Sequence, residues 1–557
     1  MFVGIDVGGT YTDAVLLENE QVLATAKVPT RENLIDSLTE ALDTIVRDED
    51  KEKVKRIVFS TTIITNLIAE RKYEDVDLLI IPGPGLSHDF YKKMPYAHII
   101  PGAIDYRGRE ILSLNEQEID TVLREIALKG SKKVGVVGKF SPRNASHENK
   151  VAEIIKNKYP QWQVELGAKI GNQLNFPRRM VTTYLTCATR EPYHYFIESV
   201  RQALDSREIY AEVFILKADG GTVPLQRSEE FPVETIFSGP AASTLGVQAL
   251  TGPDETAVVV DIGGTTTDLA LILSGQPLLS ARGARVMEQL TQVRTLAVKS
   301  VAIGGDSVLS CTGNDINIHS QRAGQAYCLG GPAPTPTDAL RALGLTELGD
   351  GEKAIKAMAL LGQELNITVE DIAEQVINKV VDNITSEIKK MFKEWEQEPA
   401  YRVWEILHKH EVKPTIVAGV GGGAAGFSAR IAEKLGCRSA ILRYASVANA
   451  IGAALARPTL QINLRADTEQ GYYIIQEEGR QEKISHRKFN ENKALELAKN
   501  SLVKLASEYG LDLAADEIEV IRQEVFNMVR GWNTTGRLYD ITVQTPRGIN
   551  ARIGVGE

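Results

Sequence analysis

The chain has 557 residues, 43% of them apolar and 24% charged, with a formal net charge of −10. These values suit a globular protein of two large domains or several smaller ones, and an acidic chain with no basic block is a poor partner for nucleic acid or an anionic membrane. No stretch approaches the ~18 uninterrupted apolar residues of a membrane span, no basic leader precedes the first strand, and Cys187, Cys311, Cys328 and Cys437 show neither C-x-x-C nor zinc spacing, so a cytoplasmic protein with reduced thiols, without nucleic-acid or membrane partners, is expected.

In chain order, the first expected element is an apolar strand, Phe2 to Ile5, which ends in Asp6-Val7-Gly8-Gly9 and continues as Thr10-Tyr11-Thr12-Asp13. The Thr, Val and Leu after the glycines read as a returning strand, so the unit is a β-hairpin with a glycine turn. Strands are expected at Arg56 to Phe59, Val134 to Gly138 and Glu212 to Lys217, and helices at His147 to Lys158 and Met180 to Leu204. A second strand, Ala257 to Val260, ends in Asp261-Ile262-Gly263-Gly264 and returns through Thr265-Thr266-Thr267-Asp268, 255 positions after the first copy. That offset fits a duplicated domain and not a solenoid repeat, and alternating strands and helices argue for α/β layers. Helices follow near Ile355 to Leu361 and from Val369 to Trp395, then a strand at Thr415 to Val420, a glycine turn and a helix at Phe427 to Leu435. Beyond Ala456-Arg457-Pro458 the texture changes to Tyr472 to Gln476 (strand), Lys493 to Tyr509 (helix), Glu517 to Val529 and Arg537 to Ile553 (strands). The organisation expected is thus an α/β chain with segments 1–240 and 241–460 as two halves and 461–557 as a small α+β region.

The repeated motif Asp-x-Gly-Gly-Thr-x-Thr-Asp suits phosphate chemistry. A strand ending in aspartate brings Asp6 or Asp261 to the sheet rim, where a carboxylate can hold a hydrated Mg²⁺. Gly8, Gly9, Gly263 and Gly264 let backbone N–H groups approach phosphate oxygens, and Thr10, Thr12, Thr265 and Thr267 add hydroxyl donors. Asp13 and Asp268 are candidates for acid–base work, although either could be a strand-end carboxylate that orients threonines. Two hairpins facing each other can clamp the phosphates of ATP with the metal between them.

Gly421 to Gly426 matches G-x-G-x-x-G, but the acidic residue expected about 20 positions later in a dinucleotide fold is missing from Ile441 to Ser446. A turn in which Gly421, Gly422 and Gly423 lie against the adenosine of ATP fits better. No P-loop, nucleophile elbow or H-E-x-x-H is present. His147-Glu148 opens a helix, where an acid favours the dipole. Asp219 before Gly220-Gly221 is a natural turn residue, and His408-Lys409-His410 reads as a solvated face, since i,i+2 side chains do not meet on a helix.

The two hairpins and the strand–glycine–helix unit resemble the two phosphate motifs and the adenosine motif of the actin, Hsp70 and sugar-kinase superfamily. More narrowly, Asp6–Asp13, Ser60–Asn66, Ser141–Asn144 with His147-Glu148, Ala218–Gly221, Ser238–Ala242 and Asp261–Asp268 resemble the hydantoinase A and 5-oxoprolinase family, over about residues 1 to 460. That resemblance implies duplicated actin-like (ribonuclease H-like) ATPase domains that use ATP and Mg²⁺ to phosphorylate the carbonyl oxygen of a cyclic amide. It also implies a B-type partner subunit, in an oligomer. Alternatives within reach of the same core are an ATPase activator of a partner enzyme, a subunit of an acetone-type carboxylase, and a small-molecule kinase. Ala297 to Gly330 departs from the family's pattern, and Asp306, in Gly304-Gly305-Asp306-Ser307 where relatives place glycine, is a further candidate catalytic residue that could reach the γ-phosphate region.

Overall fold

The computed structural model describes residues 1–91, 94–171, 173–313, 315–397, 412–421, 424–440, 442–477, 480–484 and 489–553. The chain opens with β1 (Phe2–Val7), β2 (Tyr11–Glu18) and β3 (Gln21–Pro29), an antiparallel meander, followed by α1 (Leu34–Ile45) and β4 (Arg56–Thr61), which pairs parallel to β1. Val15 and Leu17 point to one face of β2 and Ala14 and Leu16 to the other, and all four are buried, so this sheet is covered on both sides.

Between β4 and its next neighbour the chain builds a separate parallel sheet. It comprises β5 (Asp77–Ile81), β6 (Ala97–Ile99), β7 (Lys133–Gly138) and β8 (Gln163–Leu166), with α2 (Ser146–Lys158) packed against it. The long α3 (Phe176–Asp205) returns to the first sheet; it starts four residues before the expected Met180, because Asn175 caps it and Pro177 occupies its first turn. Then β9 (Glu212–Leu216) and β10 (Thr222–Pro224) complete the order β10-β9-β4-β1-β2-β3.

After α4 (Ser238–Leu250) the same plan recurs. β11 (Ala257–Ile262) and β12 (Thr267–Leu273) form the second hairpin, and β13 (Val298–Val301) pairs antiparallel to β12. The hairpin β14 (Ser307–Thr312) and β15 (Asp315–Arg322) stands off the sheet. After α5 (Val369–Gln397), β16 (Ile416–Val420) joins β11 in parallel; α6 (Ala424–Leu435) then leads to β17 (Arg438–Ala440), parallel to β16. The spatial order β13-β12-β11-β16-β17 therefore repeats β3-β2-β1-β4-β9, with the same strand directions.

α7 (Ala448–Leu455) and α4 lie between the two sheets, and one core joins Val15 and Leu17 of β2 to Val259 and Ile272 of the second hairpin through Val247, Ile451 and Leu455. Both helices are buried on all sides and carry no polar stripe, so hydrophobic periodicity does not disclose them. Their contact is made by backbone. A Cβ on Gly246 would lie 1.9 Å from the Ala448 carbonyl oxygen, one on Gly452 2.0 Å from that of Ala242, and one on Gly4 2.0 Å from that of Ala450.

The last region is a five-stranded antiparallel sheet, ordered β20-β19-β18-β22-β21, with α8 (Glu491–Glu508) against it. Its strands are β18 (Gln461–Asp467), β19 (Tyr472–Ile475), β20 (Arg480–Lys483), β21 (Glu519–Arg530) and β22 (Asn533–Gln544). β18 was not among the expected elements, although its exposure alternates along the strand. β22 ends at Gln544, short of the expected Ile553, because Pro546 has no N–H for the ladder and the segment that follows docks on α4 through Arg552 and the Gln248 carbonyl. Asp219 is a link between regions and not only a turn residue. It accepts from the Gly221 N–H and from Arg294 (2.9 Å), while Arg294 also reaches Gln544 (2.6 Å), and the two nearby cations, Lys217 and Arg294, hold its carboxyl down at about 2 despite burial.

The helix contact yields the first prediction. Gly452→Ala forces α7 away from α4 and should cost about 2–3 kcal/mol of stability, since overpacking of a rigid contact costs in that range; urea unfolding with no shift in midpoint refutes the contact.

Candidate functional site

The two glycine turns close with the same hydrogen bond: Gly8 N–H donates to the Tyr11 carbonyl (3.1 Å) and Gly263 N–H to that of Thr266 (3.0 Å). Gly9, Thr10, Gly263 and Thr265 are exposed at the rim, and Gly8 and Gly264 are partly buried. Thr12 and Thr267 do not join them. Both are fully buried, with Thr12 hydrogen-bonded to Thr30 (3.0 Å) and Thr267 to the Ile303 carbonyl (2.7 Å). Because successive residues of a strand face opposite sides, these hydroxyls point into the protein and tie the next segment to the hairpin.

In-register pairing sets Asp6 beside Asp13 and Asp261 beside Asp268. Each strand-end aspartate is held by a serine from a neighbouring element: Ser60 donates to Asp6 Oδ1, and Ser243 of α4 donates to Asp261 Oδ2 (2.6 Å). Asn449, at the start of α7, donates to both Asp6 Oδ2 (2.7 Å) and Asp13 Oδ2 (2.9 Å). Lys27 of β3 pairs with Asp13 Oδ1 (2.7 Å). Asp268 accepts from Ser300, its neighbour in register on β13.

The two hairpins meet electrostatically. Removal from water, together with the charges of Asp13 and Asp261, pushes the Asp6 carboxyl up to about 6. Removal from water with the charges of Asp268 and Asp13 does the same for Asp261, to about 6, and Lys27 opposes it. Burial also raises Asp268. Asp6 and Asp13 of one half and Asp261 of the other thus act on one another with Lys27 opposing, and carboxylate oxygens short of positive charge fit a divalent cation such as Mg²⁺ at Asp6 and Asp261.

The second turn carries an additional layer. Gly305 N–H and Asp306 N–H donate to the carbonyls of Gly263 (2.9 Å) and Gly264 (2.7 Å), and a Cβ on Gly264 would lie 2.6 Å from Asp306 Oδ2. Asp306 is paired with Arg322 at the end of β15 (2.8 Å), which places a guanidinium beside the glycine turn. Burial raises the Asp306 carboxyl, and Arg322 opposes the shift. Asp306 therefore lies against the turn, with one carboxylate oxygen committed to Arg322.

Gly421 has φ +85° and sits against the first residues of the second turn: a Cβ there would lie 2.7 Å from the Ile262 carbonyl oxygen and 2.8 Å from Asp261 Oδ1. Gly422, Gly423 and His408-Lys409-His410 lie outside the described residues. Glu148 lies in the first turn of α2, as expected, but it is also fully buried and accepts from the N–H groups of Gly138 and Ala168 (2.7 Å each), so it stitches β7 to the segment after β8. His147 pairs with Glu110 (2.8 Å). Both lie on α2, which packs against the separate parallel sheet. Lys27, Asn449 and Arg322 escape sequence reasoning; the one signal for Asn449 is a polar residue heading an otherwise small, apolar run.

Residues 2–159 match the model of the hydantoinase/oxoprolinase N-terminal region and residues 179–462 that of hydantoinase/oxoprolinase. The caprolactamase subunit alpha of Pseudomonas jessenii is 24% identical over 79% of this chain and 68% of its own length. The acetophenone carboxylase gamma subunit of Aromatoleum aromaticum is 25% identical over 70% and 60%, respectively. The solved structure of an acetone carboxylase in its nucleotide-free form aligns over 98% of this chain and 88% of its own, at 17% identity with a TM-score of 0.74, so the fold is shared. The chain spans about three fifths of the length of curated relatives it matches (62% and 60%). No described helix is long and apolar enough to cross a membrane.

Carboxyls raised to about 6 give a pH signature. The folded chain keeps protons on Asp6 and Asp261 that the unfolded chain has lost above the usual value of 3.8. This pair therefore costs stability as pH rises from about 4 to 6, and the cost is complete above 6. Relative to the parent, Asp6→Asn should gain stability as pH increases across that window. Melting temperatures whose difference is the same at pH 4 and pH 7 refute the shift.

Proposed function

The chain belongs to the hydantoinase/oxoprolinase family, and from that premise we propose that it is the ATP-using subunit of an enzyme that activates the carbonyl oxygen of a cyclic amide of hydantoin, 5-oxoproline or lactam type. The observation that carries this reading is the convergence of two Asp-x-Gly-Gly-Thr-x-Thr-Asp hairpins on one cluster of carboxyls. The repeated strand order is read as two actin-like halves, 1–240 and 241–460, followed by the region 461–557.

The exposed turn residues Gly9, Thr10 and Thr265 would offer N–H groups to phosphate oxygens, with Gly421 packed close against Asp261 beside them. Asp6 and Asp261 would hold Mg²⁺, each oriented by its serine, while Asn449 donates to both Asp6 and Asp13 and ties the two carboxylates together. Lys27 and Arg322 stand where negative charge gathers. ATP supplies the phosphoryl group that turns a carbonyl oxygen into a leaving group, and transfers of this kind depend mainly on positioning and electrostatics. Both named relatives are subunits, which supports a partner subunit, here proposed to be of B type in an oligomeric enzyme placed in the cytoplasm. Similarity to the acetophenone carboxylase subunit also favours a second reading, in which the activated group is a ketone or enol that is then carboxylated.

Asp261→Asn should lower ADP release about 100-fold or more while the melting transition stays cooperative, in line with the loss of one preorganised electrostatic group. Arg322→Ala should raise the KM for ATP more than it lowers kcat. The deciding assay measures ADP release by the purified chain, alone and with a candidate second subunit, on hydantoin, 5-oxoproline and a lactam. Stimulation that requires bicarbonate supports the carboxylase reading, and no stimulation by any cyclic amide removes the amidohydrolase.

A further inference from the structure

The run from Ser60 to Asn66 leaves the end of β4 and enters a short helix, Ile63–Ala69. Most of its polar side chains serve the fold. Ser60 donates to Asp6 Oδ1, and Thr61 Oγ1 accepts from the Ile63 N–H (3.1 Å). Thr62 Oγ1 donates to the Val7 carbonyl (3.4 Å), and Thr65 Oγ1 accepts from the Phe237 N–H (3.1 Å). Ile64 and Ile68 face the core, so the helix turns Thr62 and Asn66, four positions apart, to another side.

Asn66 differs from its neighbours. It is exposed, its amide nitrogen donates to Thr62 Oγ1 (3.4 Å), and among the described residues no hydrogen bond reaches its Oδ1. The carboxamide stands against the first glycine turn, where a Cβ on Gly9 would lie 3.3 Å from Asn66 Nδ2. The glycine that bares a backbone N–H to solvent therefore also makes room for Asn66.

An amide acceptor beside a phosphate-type turn has the chemistry to read a cyclic amide. A small ring keeps its amide cis, with the N–H and the carbonyl oxygen on the same side, whereas an open-chain secondary amide is trans and points them apart. A group that accepts from the ring N–H then stands next to the carbonyl oxygen that must meet the γ-phosphorus of ATP. Attack by that oxygen forms an O–P bond and breaks the bond from the γ-phosphorus to the ADP oxygen, which leaves with the electron pair. The proton stays on the ring nitrogen, which gains positive charge, so its hydrogen bond to Oδ1 strengthens as transfer proceeds.

We propose that Asn66 determines specificity for the acceptor: its Oδ1 accepts the ring N–H of a cyclic amide and so sets the carbonyl oxygen at the first glycine turn. The assignment rests on the cyclic-amide reading above, and it separates that substrate class from ketones, which have no N–H to offer.

ADP release, with the second subunit present, is measured on hydantoin, 5-oxoproline and δ-valerolactam and on the fully N-methylated form of each. The parent should prefer the N–H form of its substrate by about tenfold or more in kcat/KM, the scale of one hydrogen bond. Asn66→Ala should bring that preference to within about twofold, chiefly through kcat, since the bond is strongest in the transition state. Asn66→Asp, which keeps an acceptor at the same atom, should retain the preference. Because the preference is a ratio, a variant that folds only in part still reports it, and a merely structural Asn66 would lower both forms alike. A parent that takes both forms equally, an Asn66→Ala variant that keeps the preference, or an Asn66→Asp variant that loses it as fully overturns the proposal and leaves cyclic-amide activation standing. If no compound raises ADP release in the parent, that activity fails and the assignment of Asn66 falls with it.

Discussion

Two helices that touch backbone to backbone hold this molecule in register. At Gly246 and Gly452 there is no room for a methyl group between α4 and α7, so the two halves of the chain are joined with little play in their separation. The same pair of helices presents the polar donors of the site. Ser243 of α4 holds Asp261, and Asn449 of α7 holds Asp6 and Asp13. A displacement of either helix therefore moves the carboxyls of one half relative to the other. Gly4, where α7 crosses β1, extends the constraint into the strand that ends in Asp6.

The carboxyl cluster is the electrostatic consequence. Each hairpin alone would set two aspartates side by side at a sheet rim, where water screens them. Removed from water and brought near the other hairpin's carboxylates, Asp6 and Asp261 are both raised. Buried unpaired charge is costly, and proteins that accept such a cost do so at functional sites. The hydrogen bonds from Ser60, Ser243 and Asn449 recover part of it and orient the oxygens.

The segment from Ala297 to Gly330 is ordered by the second glycine turn itself. β13 pairs with β12, and Gly304 to Asp306 lies along the backbone of Gly263 and Gly264. That course brings Asp306 and Arg322 to the turn as an ion pair.

The hairpins, the strand ends at Asp6 and Asp261, most helices outside the centre and the α+β character of the last region were legible in the amino-acid order. Apolar runs, glycine turns and capping residues are local, and local chemistry decides them. The roles of Thr12 and Thr267 were not legible, since their spacing is that of phosphate donors and only the pleat direction turns them inward. Nor were Lys27, Asn449 and Arg322, each of which reaches its carboxylate from a different element. The sequence by itself determined that two copies of one aspartate-glycine-threonine hairpin would form, because each is specified by neighbours within eight residues. Only the tertiary structure decided that the two would face each other, because that depends on helices without polar stripes packing through glycines more than two hundred positions apart in the chain.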